Sequence, residues 1–431
     1  MSTRRARFTR HEVLPTACCL LILACFLAAT TPCFAETTPT NFKVAFIADQ
    51  GLGTDARAVL NLIKSEAASA VVHSGDFDYT DDPAAWESQI NSVLGANFPY
   101  FASIGNHDTP EWSGSGGYQS YLQARCNRIG VSWSGDLGIK SSLSYKGIQI
   151  LLTAPDISGT GHNTYIRDVL AQSTSPWRIS SFHKNMRMMQ PEDKSDDTGW
   201  SVYDESRKGG ALVITGHAHA YSRTYLLNSC VNQSVASRAE TLSVRANDPG
   251  TSPDDGRTVV VVSGLGGKSI RPQAVSGSWF AKIYTSTQSA KYGALFGVFN
   301  YNGDARLAKF YFKNTSGTII DTYYVRSTVS TPTATGPEAE SVLALQLGAG
   351  NPVRDRLTLT YSLPQASPVD LVLYDARGRA VHQAFNGQVQ AAGPHRWDWD
   401  LESQGTLVSG VYFARLRTAT ASRTLRMVVV R

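Results

Sequence analysis

Between residues 41 and 326, short apolar runs alternate with amphipathic stretches, and this alternation constrains the fold more than any other feature of the chain. The apolar runs of strand length are 43–48, 70–74, 99–103, 148–153, 177–182 and 211–215, followed by 258–263, 292–301, 305–313 and 319–325. Amphipathic stretches such as 55–67 and 84–94 lie between several of the earlier runs. The pattern predicts an α/β domain in which a sheet is buried between helices and ligands bind at the carboxyl ends of its strands.

Five of the predicted strands end in residues that can bind metal ions. These residues are Asp49, Asp76, Asn106 with His107, His183, and His217 with His219. One such residue alone is usually part of a turn, but five groups at the same end of one predicted sheet indicate a metal site. Two cations about 3.5–4 Å apart can clamp a phosphate and generate a hydroxide at neutral pH. The pair needs one carboxylate that reaches both cations, and Asp76, central in the set, is the natural bridge.

Other polar or flexible residues near these strand ends are predicted to have structural roles. Asp78 and Asp108 flank candidate ligands and are expected to orient the turns, and His73 lies inside a strand and is expected to be a structural histidine. The glycine-rich stretch 264–267 follows a strand but lacks the Lys-Ser/Thr ending of a phosphate-binding P-loop. We therefore predict that it forms a tight turn near the site.

The strand-end motifs resemble those of the calcineurin-like metallophosphoesterases, and most closely those of the purple acid phosphatases. The sequence reads DQG at 49–51, GDFDY at 75–79, GNHD at 105–108 and GHAHAYSR at 216–223. Most calcineurin-like enzymes have a histidine ligand at the position of Gly51, and the purple acid phosphatase pattern has a tyrosine ligand at the position of Tyr79. The resemblance covers about residues 41–326 and implies a four-layer α/β/β/α sandwich.

The resemblance also implies a role for each site residue. It places Asp49, Asp76, Tyr79 and His219 on a first metal ion, and Asp76, Asn106, His183 and His217 on a second. His107 matches the family histidine that contacts the phosphate and can help to protonate the leaving oxygen. A phenolate ligand favours Fe(III) in the first site, and imidazole with amide oxygen suits Zn, Fe(II) or Mn in the second.

The resemblance is incomplete around the substrate. The chain has Ala48 where the pattern usually has glycine, and the additional substrate histidines of the plant purple acid phosphatases cannot be identified. Two cations follow His183, namely Lys184 and Arg187. These either contact phosphate oxygens or are ordinary surface charges, so the sequence leaves the substrate preference open.

The first 35 residues have the order of a secretory signal peptide. A basic head is followed by an apolar stretch and by small residues that end at Ala35. A membrane anchor or a lipid anchor remains an alternative, but the short apolar run favours cleavage and an exported protein. The remaining chain keeps two cysteines, Cys126 and Cys230, and the sequence does not establish whether they pair.

Composition excludes two classes of protein. With 42% hydrophobic residues the chain is too apolar for an intrinsically disordered protein. It is also not a multi-span membrane protein, because only one apolar run approaches the length of a membrane span. The formal net charge of +5 is small for 431 residues, so no nucleic-acid partner is indicated.

A second domain is predicted after a linker. Residues 327–342 are rich in Ser, Thr, Pro and Ala, whereas residues 343–431 contain alternating or apolar runs at 357–363, 369–374, 396–399, 411–416 and 424–430. Short strands at this spacing predict an all-β sandwich. Motifs such as YDARG at 374–378 and SGVYF at 409–413 resemble flagellar-hook-capping immunoglobulin-like modules and type IX secretion sorting domains. That resemblance implies a bacterial host and attachment to the cell surface or secretion machinery, and a plain spacer is the alternative.

Taken together, these features predict an exported binuclear metallohydrolase whose metal-bound hydroxide cleaves small phosphate esters, similar to the purple-acid-phosphatase-like phosphomonoesterases. Two alternatives remain open at this stage. One is a phosphodiesterase that acts on nucleotides or phospholipids, and the other is a surface protein with a metal site that is catalytically silent.

Overall fold

The computed structural model of the protein describes residues 36–248, 254–329, 343–347, 351–354, 356–363, 365–390, 393–401 and 407–430. The predicted signal peptide at 1–35 and positions 330–342 of the predicted linker lie outside the described residues. The chain divides into two compact units, Met1–Pro332 and Thr333–Arg431, which are described separately below.

The described part of the first unit contains seventeen strands and five α-helices. The strands are β1 (Phe42–Ile47), β2 (Ala70–Ser74), β3 (Tyr100–Ser103), β4 (Trp133–Asp136), β5 (Lys140–Tyr145), β6 (Ile148–Thr153), β7 (Trp177–Phe182), β8 (Leu212–Thr215), β9 (Tyr221–Thr224), β10 (Leu226–Ser229), β11 (Ser234–Ser237), β12 (Thr241–Val244), β13 (Val260–Ser263), β14 (Phe280–Tyr284), β15 (Gly293–Tyr301), β16 (Asp304–Asn314) and β17 (Ile319–Ser327). The helices are α1 (Thr54–Ser65), α2 (Pro83–Val93), α3 (Tyr118–Arg128), α4 (His162–Gln172) and α5 (Trp200–Lys208).

Two large sheets pack face to face in this unit. One has the order β12-β17-β16-β15-β1-β2-β3 and the other β14-β9-β13-β8-β7-β6-β5-β4. Apolar side chains of both sheets, such as Phe46 on β1 and Val261 on β13, belong to the same buried core. Helix α1 packs beside β15 and α3 beside β3, whereas α4 and α5 pack beside β5 and β8 of the other sheet. The predicted four-layer α/β/β/α sandwich is confirmed.

The prediction that all five strand-end groups lie on one sheet is wrong. Strands β1, β2 and β3 are parallel neighbours in the seven-stranded sheet, and β7 and β8 are parallel neighbours in the eight-stranded sheet. Each of these strands is almost completely buried, because helices cover one face of its sheet and the other sheet covers the opposite face. Burial on both faces gives all five strands the same apolar pattern, which does not reveal the sheet to which each belongs.

The second unit is all-β in its described residues, as the strand spacing predicts. Its strands are β18 (Ala344–Leu347), β19 (Arg356–Leu363), β20 (Ser367–Asp375), β21 (Ala380–Gln390), β22 (Gly393–Asp400), β23 (Gly410–Arg417) and β24 (Ser422–Val429). They form a sheet of order β18-β19-β22 and a sheet of order β21-β20-β23-β24, which share one apolar core. The resemblance to immunoglobulin-like sorting domains stays a prediction.

Three further features of the first unit bear on the sequence-based expectations. Strand β17 ends at Ser327, and Val329 is still buried, so the start of the predicted linker at 327 falls inside the packed unit. Cys126 and Cys230 are both buried and free, so they do not pair. Within the described residues, no helix combines the length and apolar character that a membrane span requires.

Candidate metal centre

The loops that follow five buried strands carry every residue that the sequence predicts for the site. Asp49 follows β1, Asp76 and Tyr79 follow β2, Asn106 and His107 follow β3, His183 follows β7, and His217 and His219 follow β8. Hydrogen bonds join loops within and between the two sheets: the amide of Asp49 donates to Gly75 O at 3.1 Å, and the amide of His217 donates to Asp49 Oδ2 at 3.0 Å. The loops of the two sheets therefore meet at one place.

Four of the candidate ligands have a left-handed backbone conformation. The φ angles are 57° at Asp49, 61° at Asp76, 65° at Tyr79 and 67° at His217. Residues other than glycine rarely adopt this region, and those held there cluster at functional sites. The local hydrogen bonds fix these conformations, for example the bond at 2.9 Å from the amide of Gln50 to Asp76 O.

Two glycines allow the loops to approach each other closely. Gly75 has a φ of +84°, and a Cβ at this position would lie 2.6 Å from the amide nitrogen of Gly105. Gly105 has no positive φ, but a Cβ there would collide with the backbone and carboxylate of Asp76. Position 105 therefore requires glycine because a side chain would not fit there, and not because of its backbone conformation.

Asp76, His183 and His217 form one group of potential ligands. One ligand atom from each lies within 4.8 Å of the others, and His183 Nε2 is 3.2 Å from Asp76 Oδ2. His183 Nδ1 lies 2.7 Å from Ser74 O, and as the N–H tautomer it donates a hydrogen bond that points Nε2 into the group. His183 and Asp76 are buried, and His217 has a side-chain exposure of 15%.

One buried atom beside this group has no hydrogen-bond partner among the described residues. It is Asn106 Oδ1, which can donate a lone pair to a cation, whereas His183 Nε2 has the Asp76 carboxylate at 3.2 Å. A buried polar atom without a partner costs free energy, on the order of 1–3 kcal/mol. A cation bound between Asp76, Asn106, His183 and His217 would satisfy Asn106 Oδ1, so the donor set fits a metal ion.

The electrostatics of the group also suit a cation. Burial opposes protonation of His183, but the Asp76 carboxylate outweighs burial and raises the pKa of His183 to about 9. Burial likewise opposes ionisation of Asp76, yet the attraction to His183 holds the pKa of Asp76 below its ordinary value. The site thus keeps a carboxylate ionised, and it holds a proton on His183 that a metal ion would displace.

A second group consists of Asp49, Tyr79 and His219. The Tyr79 hydroxyl donates to Asp49 Oδ1 at 3.0 Å and lies 3.2 Å from His219 Nε2, which is 3.4 Å from Asp49 Oδ1. Burial and the charge of Asp49 raise the pKa of Tyr79 well above its ordinary value. The phenol therefore keeps its proton unless a cation displaces that proton.

His107 lies at the exposed edge of the site. Its ring centroid is 4.6 Å from that of Tyr79, and its backbone amide donates to Asp76 Oδ1 at 3.0 Å. The ring is exposed and is thus accessible to a substrate, whereas the amide binds the loop to the carboxylate at the centre of the site.

The predicted structural roles of three flanking residues are confirmed. Asp108 accepts hydrogen bonds from the amides of Asp76, Phe77 and Gly105. Asp78 accepts bonds from the amides of Thr80 and Asp82, and both aspartates therefore hold turns. His73 is buried, its Nδ1 lies 2.8 Å from the Tyr100 hydroxyl, and burial lowers its pKa to about 3.

The sequence analysis did not identify two polar neighbours of the candidate ligands. Ser269 Oγ lies 3.0 Å from His219 Nδ1, and it therefore orients this ring much as Ser74 O orients His183. Asp197 Oδ2 is 3.7 Å from His217 Nε2. No motif could have revealed them, because each lies in a loop that reaches the site only through the tertiary fold.

The comparisons with known proteins agree with the strand-end motifs. Residues 42–221 match the model of the calcineurin-like phosphoesterase family. The sequence-based recognition of the family is thereby confirmed, and the family acts on phosphoric esters. No curated protein matches the chain.

Several solved structures are similar to part of the chain. Purple acid phosphatase PPD1 from yellow lupin (Lupinus luteus) seeds is 17% identical, with a TM-score of 0.48, over 66% of this chain and 53% of the lupin chain. PhoD is 10% identical over 70% of this chain and 74% of its own, with a TM-score of 0.38. A conserved uncharacterized protein from Streptococcus pneumoniae TIGR4, described as a predicted phosphoesterase, is 11% identical over 65% of this chain and 95% of its own, with a TM-score of 0.28. The chain thus spans about half the length of the lupin enzyme.

Proposed function

We propose that the protein is an exported binuclear metallohydrolase that cleaves phosphate monoesters, in the manner of purple acid phosphatases. The observation that carries the proposal is the convergence of Asp76, His183 and His217, with the unpartnered Asn106 Oδ1 beside them. When bound, paired cations neutralise phosphate charge and activate water at neutral pH.

Seven of the site residues would bind the metal ions, and one would transfer a proton. Asp49, Asp76, Tyr79 and His219 would hold the first ion, and Asp76, Asn106, His183 and His217 the second. Ser269 Oγ and Ser74 O orient two of the histidine rings from behind. His107, exposed at the edge, would donate a proton to the leaving oxygen.

A metal analysis combined with a substrate panel tests this function. We expect the purified mature protein to contain about two metal ions and to hydrolyse chromogenic monoesters faster than the matched diesters. Faster diester hydrolysis would favour the phosphodiesterase alternative. Metal-loaded protein that turned over neither class would instead be a metal-binding protein without activity.

The identity of the first metal ion can be read from its colour. A phenolate oxygen is a hard ligand that favours Fe(III), and Zn, Fe(II) or Mn suits the second site. We expect iron-loaded protein to show a visible charge-transfer band that Tyr79→Phe removes. Tyr301→Phe is the matched control. Both tyrosine rings lie beside a lysine ammonium, but Tyr301 is at the end of β1 that is remote from the site. Iron-loaded wild-type protein without colour, or a Tyr79→Phe variant with an unchanged spectrum, would contradict the assignment.

Export and attachment form the remaining part of the proposal. The order of basic, apolar and small residues before Glu36 supports cleavage after Ala35, which the N-terminal residue of the mature protein tests. The motifs of the second unit support a role in attachment to the cell surface or to secretion machinery. The substrate would be a small phosphate ester rather than a nucleic acid.

A further inference from the structure

The glycine-rich stretch 264–267 has no role in the function proposed above, but it lies against the loop of Asp49. The amide of Gly266 donates to Ala48 O at 3.0 Å, and the amide of Lys268 donates to Asp49 O at 2.9 Å. Gly267 has a φ of +147°, and a Cβ there would lie 2.5 Å from the Cα of Ala56. The stretch bends near the site, as predicted, and the glycines allow the next residue to reach the candidate ligands.

That next residue is Lys268, whose ammonium lies above the ring of Tyr79. The distance from Nζ to the ring centroid is 4.4 Å, and the same ring is in contact with His107. Lys268 is exposed, so it can meet a solute that approaches the site. The ammonium and the His107 ring thus both lie at the accessible edge of the site, and Tyr79 contacts both.

Three other cations in the surrounding loops are paired with carboxylates. Lys184 Nζ is 2.7 Å from Asp156, Arg187 is paired with Asp193, and Arg271 lies 3.5 Å from Glu192. Lys184 and Arg187, the two cations that the sequence suggested for phosphate, are therefore already engaged. In the described part of the chain, no carboxylate forms an ion pair with Lys268.

We propose that Lys268 binds the non-bridging oxygens of a dianionic phosphomonoester and makes the site selective for monoesters over diesters. The inference rests on the proposed function. Lysine binds phosphate as a point charge, and its attraction to a dianion exceeds that to the single charge of a diester. The backbone bond to Asp49 O fixes where the side chain starts, and the contact with Tyr79 directs the ammonium toward the site.

The test compares Lys268→Met with Lys268→Arg in the metal-loaded full chain. A charge-assisted hydrogen bond is lost in the methionine variant, so we expect the Kd for inorganic phosphate, measured by calorimetry, to rise about tenfold or more. We expect kcat/KM for a monoester to fall by a similar factor and that for a diester to fall less than about threefold. Lys268→Arg keeps the charge and should stay within about threefold of wild type.

Lys309→Met is the matched control. Lys309 also lies over a tyrosine ring, with Nζ 5.9 Å from the centroid of Tyr301, and this variant should leave phosphate affinity unchanged. An unchanged Kd in Lys268→Met, or equal losses for monoesters and diesters, would overturn the inference. The inference would also fail if Lys268→Met lost bound metal and then, once reloaded with metal, bound phosphate as tightly as wild type. If wild-type protein hydrolyses no phosphate ester at all, the proposed function fails instead, and the phosphate titration still reports on Lys268.

Discussion

Asp76→Asn is expected to lose metal binding and to reduce phosphate ester hydrolysis by about 1,000-fold or more. Asp76 is the one carboxylate that the site would share between two cations, and the loss of a charged ligand removes several kcal/mol of stabilisation. Its Oδ2 is 3.2 Å from His183 Nε2, and its Oδ1 accepts the amide of His107. The substitution therefore removes the charge at the point where the loops of both sheets meet.

The choice of asparagine separates charge from backbone strain. Asp76 has a φ of 61°, and asparagine tolerates this left-handed region about as well as aspartate does. Asp81 is exposed, has a φ of 56°, and is not a candidate ligand, so Asp81→Asn is the matched control. Metal per mole of protein by elemental analysis, with circular dichroism to confirm folding, gives the readout. A folded Asp76→Asn variant that still bound two metal ions would show that Asp76 is not the shared ligand.

The sequence predicts buried strands well when both of their faces are covered. Ala70–Ser74, Ile148–Thr153 and Trp177–Phe182 coincide residue for residue with apolar runs, because burial on both faces leaves no polar alternation. The assignment of strands to sheets failed for the same reason. Pairing partners such as β1 and β15 are more than 240 residues apart, and no local pattern encodes such a contact.

Elements that are polar or exposed were not predicted. Helix α3 contains the buried Arg125, which pairs with Glu87 of α2 at 2.6 Å, so its inner face does not read as apolar. Strand β21 was not predicted because most of its side chains are exposed, so its sequence shows only a weak alternation of apolar and polar residues. In both cases a contact made in the folded chain decides the structure, and the local sequence carries little trace of it.

The candidate site shows the same division between local and tertiary information. Motif spacing identified Asp49, Asp76 and His183, because each lies within two residues of the end of a buried strand. It did not identify Ser269 or Lys268, which reach the site through the turn that packs against the loop of Asp49. The residues that would hold metal are therefore readable from the sequence, whereas those that orient them or meet the substrate require the fold.

His107→Asn is expected to separate catalysis from metal binding. The ring of His107 is exposed and contacts Tyr79, and only its backbone amide binds Asp76, so the substitution leaves that hydrogen bond in place. We expect unchanged metal content and a kcat that is about 100-fold lower, within the range that a general acid contributes. The loss should depend on the leaving group, because an alkoxide needs a proton as it departs more than a nitrophenolate does.

The comparison of two monoesters makes this expectation specific. With glycerol phosphate the full loss of about 100-fold should appear, and with p-nitrophenyl phosphate the loss should be less than about tenfold. A histidine that only packs against Tyr79 would instead lower both rates equally or reduce the metal content. Equal losses on the two substrates would therefore remove His107 from proton transfer and leave it as a support for the Tyr79 ring.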